Sequence, residues 1–556
     1  MRVCHVWVLS VLTLAALVGC SGSSAPAGNS APPGGGPLPP PSPPSGPVPL
    51  QGTDVLTYKY DHARSGQNVT ESVLTLANVN SSSFGLQRLL MVDGNVDAQP
   101  LYLSALSVQG VTHNVVFVAT ENDSVYAFDA GSGALLWHVS VLPAGETVND
   151  IPANGCGQVA PTIGITSTPV IDRSAGAHGV MFLVAMSQDG SGKDHQRLHA
   201  LDVTTGAEVL GGPTEIAATY PNTGGTTAFD PAQYEERAAL LLLNGTIYTS
   251  FTSHCDAAPY SGWIIAYSES TLARTAVLNV APNGGGGGPA IWMAGGGPAA
   301  DTAGNVYLLT ANGAFETTLD ANGFPNAQDY GNSFLKLSTA GGTLTVADYF
   351  AMYNEVDESN NDVDLGSGGG MLLPDLTDSG GIVRHLMVGA GKDGNLYVVN
   401  RDSMGKFDAA NMNKQIWQFL PGVLGGGIWS TPAWFNGTLY YGPVNGNLLA
   451  FGAANALLAA QPTSRSTTSF GYPGTAPVVS ANATANGIVW AHENSSPAVL
   501  HAYDATNLAH ELYNSSQASN GRDQFGAGNK FINPVVADGR VFVGTQGAVA
   551  VFGLLN

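Results

Sequence analysis

The stretch VVFVATENDSVYAFDAGSGALLWHVSV, residues 115–141, predicts three short antiparallel strands that are neighbours along the chain. Apolar and β-branched residues form three runs, and turns rich in Asn, Asp, Gly and Ser separate them. The runs are 115–118, 125–128 and 135–141, and the turns lie at 122–123 and 131–133. The pattern indicates one sheet built from consecutive hairpins.

The same pattern returns along the rest of the chain, at 180–210, 239–280, 305–349, 386–419, 438–451, 487–513 and 540–552. A short entry, often with a proline, precedes each unit, and the entries are about 62 residues apart on average. The entries are Gln99-Pro100, Thr168-Pro169, Arg237-Ala238, Gly297-Pro298, Leu373-Pro374, Thr431-Pro432, Ala476-Pro477 and Asn533-Pro534. This regularity is typical of a repeat architecture.

The repeat predicts an all-β fold, a β-propeller of four-stranded antiparallel sheets, because radial stacking buries the faces that one sheet leaves exposed. Eight entries predict eight blades; seven would also fit, because the third and fifth entries are degenerate. The last unit supplies about three strands, and residues 85–92 form a strand without a neighbour in sequence. We therefore expect this N-terminal strand to complete the last blade and close the ring.

Composition and charge argue against a nucleic-acid-binding protein and against a protein built from long helices. The chain has 556 residues, 19 Lys plus Arg and 41 Asp plus Glu, with a formal charge of −22. A nucleic-acid partner is not expected, because neutralising phosphates requires clustered basic residues. The 71 glycines and 33 prolines favour turns over long helices, while 44% hydrophobic residues suffice for a core.

The N-terminal region predicts an exported, lipid-anchored protein. Residues 1–19 have Arg2 followed by an apolar run too short to span a bilayer, as in a signal peptide. The tetrapeptide Leu17-Val18-Gly19-Cys20 resembles the lipobox of bacterial lipoproteins, with Cys20 as the lipidated residue; an ordinary signal peptide is the alternative. Residues 20–53 form a Pro/Gly/Ser-rich linker, and the propeller spans 54–556. The expected location is the bacterial cell envelope, at the periplasmic or surface face of the outer membrane.

Residues 127–137 resemble the tryptophan-docking repeat of pyrroloquinoline quinone (PQQ) propellers. We expect Asp129 to bond the following turn, Gly133 to take the left-handed conformation, and Trp137 to contact the neighbouring blade. Looser copies occur at 200–206 and 502–504. The repeat positions are Ala127, Asp129, Gly133, Trp137, Ala200, Asp202, Gly206, Ala502 and Asp504. Over nearly all of 55–556 the chain is similar to the quinoprotein alcohol dehydrogenase-like superfamily, which contains dehydrogenases and binding scaffolds.

This resemblance implies a ligand site on the propeller axis, with PQQ and Ca²⁺ as cofactors if the chain is an enzyme. PQQ carries three carboxylates and needs basic partners, and Ca²⁺ needs several oxygen ligands. The vicinal cysteines and the Cys-x-x-Cys-His motif of many quinoprotein dehydrogenases are absent from the sequence. The candidate axial residues near the entries are Arg64, Gln99, Thr168, Arg237, Lys392, Trp429 and Lys530.

Two smaller features have alternative interpretations. Asp362 and Asp364 would place carboxylates on one side of a turn and could hold a metal ion, or they belong to a solvated acidic loop. Trp292, Trp429 and Trp434 lie near entries and would stack on a ligand or pack between blades.

The missing cofactor motifs favour a non-catalytic function. The expected role is a binding or scaffold module for an envelope protein or a small ligand, with the membrane contacted through Cys20. The alternative is a PQQ- and Ca²⁺-dependent dehydrogenase for an alcohol or a sugar.

Cys156 and Cys255 remain after Cys4 is cleaved off and Cys20 is lipidated, and export to an oxidising compartment predicts a disulfide between them. Two buried free thiols are the alternative. Peptide mapping under non-reducing conditions is expected to recover the two cysteines in one linked peptide pair. Recovery of both as free thiols would contradict the disulfide.

Overall fold

Eight four-stranded antiparallel sheets lie in a ring and form an eight-bladed β-propeller, in a computed structural model that describes residues 54–150, 157 and 159–555. The predicted fold class is therefore confirmed, with eight blades and not seven. The predicted sites at Cys20 and Cys156 lie outside the described residues, so lipidation and the disulfide to Cys255 stay predictions.

Each blade contributes four strands, ordered from the axis outward. Blades 1 to 4 are Leu101–Val108, Val111–Ala119, Ser124–Asp129, Leu135–Ser140; Val170–Asp172, Val180–Gln188, Asp194–Asp202, Thr214–Glu215; Leu241–Leu243, Thr246–Ser253, Trp263–Ser268, Arg274–Asn279; and Ala299–Ala300, Val306–Leu309, Ser333–Ser338, Thr345–Ala351. Blades 5 to 8 are Met371–Leu372, Leu386–Gly389, Leu396–Asn400, Gln418–Leu420; Ala433–Phe435, Thr438–Tyr441, Gly446–Ala454, Ser464–Phe470; Val478–Asn482, Ala485–Glu493, Val499–Asp504, Glu511–Asn514; and Val535–Ala537, Arg540–Gly544, Gln546–Leu554, Phe84–Asn95.

Short elements decorate this ring. The additional strands are Gln67–Asn68, Thr147–Asp150, Thr162–Ile163, Thr219–Asn222, Gly225–Ala228, Tyr234–Glu235, Leu376–Thr377, Val383–Arg384 and Leu457–Leu458. The helical elements are the α-helix Glu355–Asn360 and the 3₁₀ turns Met293–Gly295, Ala340–Gly342 and Ser519–Gly521. Within the described ranges, we find no helix with the length and apolar character required to cross a membrane.

The ring closes as the sequence predicts, through the N-terminal strand Phe84–Asn95. This strand pairs antiparallel with Gln546–Leu554, and Leu86 lies opposite Phe552. The fifth entry is the exception: Leu373-Pro374 follows the inner strand of blade 5 instead of preceding it. Gly369-Gly370 takes the entry position there, and because it has no proline, the repeat pattern could not locate it.

A continuous segment, residues 55–68, which we call the hub, runs around the axis and contacts all eight blades. Backbone amides of six inner strands donate to hub carbonyls over 2.8–3.0 Å. Those amides belong to Tyr102, Ile171, Ala300, Leu372, Trp434 and Val479. Blade 8 joins through Val536, whose amide donates to the Tyr60 hydroxyl at 2.8 Å. The hub thereby pairs backbone groups of inner edge strands that would otherwise lack partners.

Arg64 is the hub's main side-chain anchor and is fully buried. Its guanidinium donates to the carbonyl of Pro298 at 2.9 Å and to that of Leu240 at 3.1 Å, which ties blades 3 and 4 to the hub. It also donates to Thr57 Oγ1 at 2.7 Å and to the Tyr58 carbonyl at 3.0 Å within the hub. Such a set of bonds uses the planar donor array that only arginine offers.

The docking motif behaves as predicted in blade 1. Trp137 Nε1 donates to the Val203 carbonyl of blade 2 at 3.1 Å, and its ring lies against Gly206. A Cβ on Gly206 would come within 2.8 Å of that ring, so glycine is required there. Asp129 accepts from the Ser132 amide at 2.7 Å, and Gly133 has φ +77°. Each tryptophan–turn contact therefore joins one blade to the next.

In the other copies, Asp202 and Asp504 accept hydrogen bonds from backbone amides of the turns that follow them. The repeat alanines of all three copies, Ala127, Ala200 and Ala502, are fully buried. A further docking contact, not predicted from the sequence, joins blades 5 and 6, where Trp417 Nε1 donates to the Ala456 carbonyl at 2.7 Å.

The variant Arg64→Met should be destabilised by about 3 kcal/mol, because the carbonyls of Pro298 and Leu240 would remain buried without donors. Urea denaturation would measure the loss. The matched control is Arg173→Met, an arginine whose side chain is 40% exposed and pairs with Asp54 at the surface; its effect should stay below about 1 kcal/mol. Equal unfolding midpoints for the two variants would contradict the structural role of Arg64.

Candidate axial site

Three of the seven predicted axial residues, Arg64, Gln99 and Thr168, make hydrogen bonds that join the hub to the blade entries. Gln99 Oε1 accepts from the Lys59 amide and from Asn533 Nδ2, both at 2.9 Å. The backbone amide of Gln99 donates to Thr168 Oγ1 at 2.9 Å. These bonds link the entries of blades 1, 2 and 8 around the hub, and both side chains are buried.

Above the hub, four aromatic side chains meet over the axis, and we call them the aromatic cap: Trp292, Trp429, Tyr472 and Phe531. They come from the entries of blades 4, 6, 7 and 8. The Phe531 ring makes edge contacts with Trp292 at 5.6 Å and with Tyr472 at 6.1 Å between centroids. Tyr472 meets Trp429 at 5.6 Å. Such perpendicular contacts are favourable for aromatic pairs.

Arg237 lies between the aromatic cap and the hub. It is 1% exposed, and its guanidinium carbon is 5.8 Å from the centre of the Phe531 ring. Nη1 donates to the Thr166 carbonyl at 3.0 Å, whereas Nε and Nη2 have no partner among the described residues. A buried guanidinium with two unused donors is the strongest polar feature on the axis, because such groups normally bind an acceptor.

Lys530 and Lys392 lie beside the aromatic cap. Lys530 Nζ is 5.4 Å from the centre of the Phe531 ring and donates to the Gly157 carbonyl at 3.2 Å. Lys392 Nζ lies 2.8 Å from Asp362 Oδ1 and 2.6 Å from Asp364 Oδ2. The predicted cation loop is thus bridged by a lysine ammonium group, which offsets one of the two negative charges.

The predicted tryptophans divide into two groups. Trp434 is 4% exposed and lies in the core between blades 5 and 6, which is the packing alternative. Trp292 and Trp429 are half-buried members of the aromatic cap. Only the latter pair lies where a ligand could contact it.

The described residues do not fit PQQ on the axis. Phe531 of the cap is only 7% exposed, and its ring centre lies 5.8 Å from the guanidinium carbon of the buried Arg237. The entries of blades 4, 5 and 6 are in direct contact, because a Cβ on Gly296 would collide with Thr431 and lie 3.4 Å from the Gly369 Cα. The glycine runs therefore serve close backbone packing. In the described ranges, no cluster of three or more His, Cys, Asp or Glu is placed to hold a metal ion such as Ca²⁺.

A buried carboxyl pair lies at the seam between blades 8 and 1. Glu121 is 1% exposed, and burial together with the neighbouring Asp97 carboxylate raises the pKa of Glu121 to about 10. Asn529 Nδ2 donates to Asp97 Oδ1 at 2.7 Å. Burial also lowers the pKa of the nearby Lys530 ammonium group. Glu121 thus keeps its proton at neutral pH.

Phe531, Tyr472 and the Glu121–Asp97 pair were not predicted as site residues. No local pattern marks Tyr472, Glu121 or Asp97, since each lies in a connection between strands and gains its role only from neighbours in other blades. A signal existed for Phe531, because it follows the predicted Lys530 and precedes the last entry.

The raised pKa of Glu121 makes stability depend on pH. The folded state holds this proton up to about pH 10, while an unfolded glutamate releases it near pH 4.5, so stability falls as pH rises between these values. Glu121→Gln should flatten the decline in the free energy of unfolding between pH 5 and pH 8 by about 1 kcal/mol per pH unit, seen as a shallower fall in melting temperature. Thermal melts over that range measure the slope.

The matched control is Asp408→Asn, which removes an exposed carboxylate, and it should leave the slope unchanged. A Glu121→Gln profile parallel to that of the parent protein would contradict the protonated state of Glu121.

Three solved structures have the same propeller fold as this chain. A quinohemoprotein alcohol dehydrogenase from Pseudomonas putida is 13% identical with a TM-score of 0.56, covering 90% of this chain and 80% of that chain. The quinohemoprotein alcohol dehydrogenase from Comamonas testosteroni is 15% identical with a TM-score of 0.53, covering 90% and 81%. A europium-containing methanol dehydrogenase is 15% identical with a TM-score of 0.55, covering 90% and 98%.

At these identities the likeness establishes the fold alone. No family model matches the sequence, and no curated protein matches it.

Proposed function

We propose that this chain, an eight-bladed propeller with the fold of the quinoprotein alcohol dehydrogenases, is a non-catalytic binding module of the bacterial cell envelope. It is exported, anchored through lipid on Cys20 at the periplasmic or surface face of the outer membrane, and held away from the bilayer by the linker 20–53. Its partner is an envelope protein or a small ligand.

One observation carries this proposal: the chain's own side chains fill the axis. Phe531 lies over Arg237, and Arg237 lies over the hub, so a ring-shaped cofactor would have to displace Phe531. Tyr58, a residue of the hub, is only 3% exposed, and burial raises the pKa of its hydroxyl. A site built for a tricarboxylate would also need several cations in one place, and Lys392 is already paired with two carboxylates.

The exposed rim of the aromatic cap supplies a recognition surface. The Tyr472 side chain is 51% exposed in spite of its contacts with Trp429 and Phe531. Tyrosine and tryptophan offer a large contact area and a polar group at little cost in side-chain entropy, which is why they dominate binding hot spots. Lys530 lies beside this rim and would favour partners with acceptor groups.

The alternative function is a PQQ- and Ca²⁺-dependent alcohol or sugar dehydrogenase. Arg237 favours it, because two guanidinium donors without a partner in the described residues would suit a carboxylate or a quinone oxygen. This arrangement would require Phe531 to leave the axis.

Incubation with PQQ and Ca²⁺, followed by gel filtration, separates the two functions. We expect no quinone absorbance to co-elute with the protein and no dye reduction with alcohols or aldoses. Retained quinone with turnover by the parent protein would overturn the binding-module proposal. Phe531→Ala is the informative variant, since it opens the space above Arg237: if only this variant retains quinone, Phe531 is the residue that closes the axis.

A further inference from the structure

A cleft lies away from the axis, beside blade 3. Its volume is about 440 Å³, within the range of small-ligand sites. Three connecting segments form its walls: the hairpin 219–228, the loop 254–261 and the glycine-rich loop 281–288. Its polar and aromatic lining residues include Asn222, Thr227, Asp230, Gln233, Tyr234 and Tyr260. We call it the flank cleft.

The walls of the flank cleft are fixed by hydrogen bonds. The Tyr260 amide donates to the Gly286 carbonyl at 2.8 Å, and the Gly288 amide returns a bond to the Tyr260 carbonyl at 3.0 Å. Gly286 has φ +84°, and a Cβ there would collide with Pro259, so glycine is what allows the two loops to touch. The hairpin is held by the Thr223 amide, which donates to Asn283 Oδ1 at 2.7 Å.

The base of the flank cleft is equally rigid. Phe229 is buried and stacks on Tyr234 at 5.0 Å between ring centroids. Gln233 Nε2 donates to the Ala257 carbonyl at 2.5 Å, which fixes the orientation of its amide group. A preformed cleft loses little free energy when a ligand binds, because the loops need no further ordering.

The lining defines the chemistry of a ligand. Asp230 is the single charged side chain that lines the cleft, so a phosphate or carboxylate ligand would find no basic partner. One carboxylate is also too few for a divalent cation. The remaining groups are amides, hydroxyls and tyrosine rings, and the Tyr260 hydroxyl donates to Asp256 Oδ1 at 3.4 Å, so Tyr260 offers its ring to a ligand.

We propose that the flank cleft binds a neutral saccharide of one or two rings. The apolar face of a sugar ring packs against Tyr260 and Pro259, and its hydroxyls bond to the Asp230 carboxylate and to the amides of Asn222 and Gln233. This inference goes beyond the binding module proposed above and is independent of whether the axis is closed.

The probes are uncharged mono- and disaccharides of glucose, galactose, mannose and N-acetylglucosamine, added to the full chain and followed by saturation-transfer NMR and calorimetry. We expect at least one to bind with a Kd of about 1 mM or tighter. Asp230→Asn and Tyr260→Ala should each weaken that sugar about tenfold. The matched control is Tyr353→Ala, which removes a partly buried tyrosine that does not line the cleft and should leave sugar binding unchanged.

Asp230 is exposed, so its substitution should leave the fold intact, and a loss of sugar binding in Asp230→Asn then reports on the cleft. The proposal is overturned if no sugar in the panel binds with a Kd below about 10 mM. It is also overturned if binding persists undiminished in Asp230→Asn and Tyr260→Ala, or if Tyr353→Ala abolishes it. Quinone retention has no bearing on these outcomes, so failure here and failure of the binding-module proposal are distinguishable.

Discussion

Every blade of the propeller presents the edge of its inner strand to the axis, and the backbone groups on that edge need partners. The hub meets this requirement for the whole ring with one segment, residues 55–68. Seven blades donate an inner-strand amide to it, and blade 3 contributes the Leu240 carbonyl to Arg64. Since each buried unpaired group would cost about 1–3 kcal/mol, this one segment stabilises all eight blades. The closing strand Phe84–Asn95 follows it and joins the two ends of the ring.

The hub also determines what the axis can hold. Once the hub occupies one end of the axis, Arg237 lies directly above it and Phe531 closes the space above Arg237. The described side chains of the axis therefore pack against one another. The recognition surfaces that we propose lie on the rim of the aromatic cap and beside blade 3. The second of these is the flank cleft, which connecting segments outside the four blade strands form.

The sequence predicted the blades and their closure because both depend on local, repeating signals. Strand periodicity, turn residues and the docking of Trp137 are properties of neighbouring positions, and each appears in the structure as expected. The fifth entry was misplaced because Gly369-Gly370 lacks the proline that marks most other entries.

The axial site could be predicted only in part, since its members converge from distant positions. Gln99 and Thr168 were identified near the axis, but their polar groups join entries and are not available to a ligand. Phe531 and Tyr472 lie 59 residues apart in sequence and meet only because blades 7 and 8 are adjacent. The hub carries no periodic pattern, and its backbone bonds become evident only once the ring exists.

Hydrogen exchange followed by mass spectrometry tests the role of the hub most directly. If the hub holds all eight blades, peptides from 55–68 should exchange as slowly as those from the inner strands and from the closing strand pair, because all of them open only on global unfolding. Rapid exchange of 55–68, with the inner strands still protected, would contradict the account. In that case the ring would be stable without the hub.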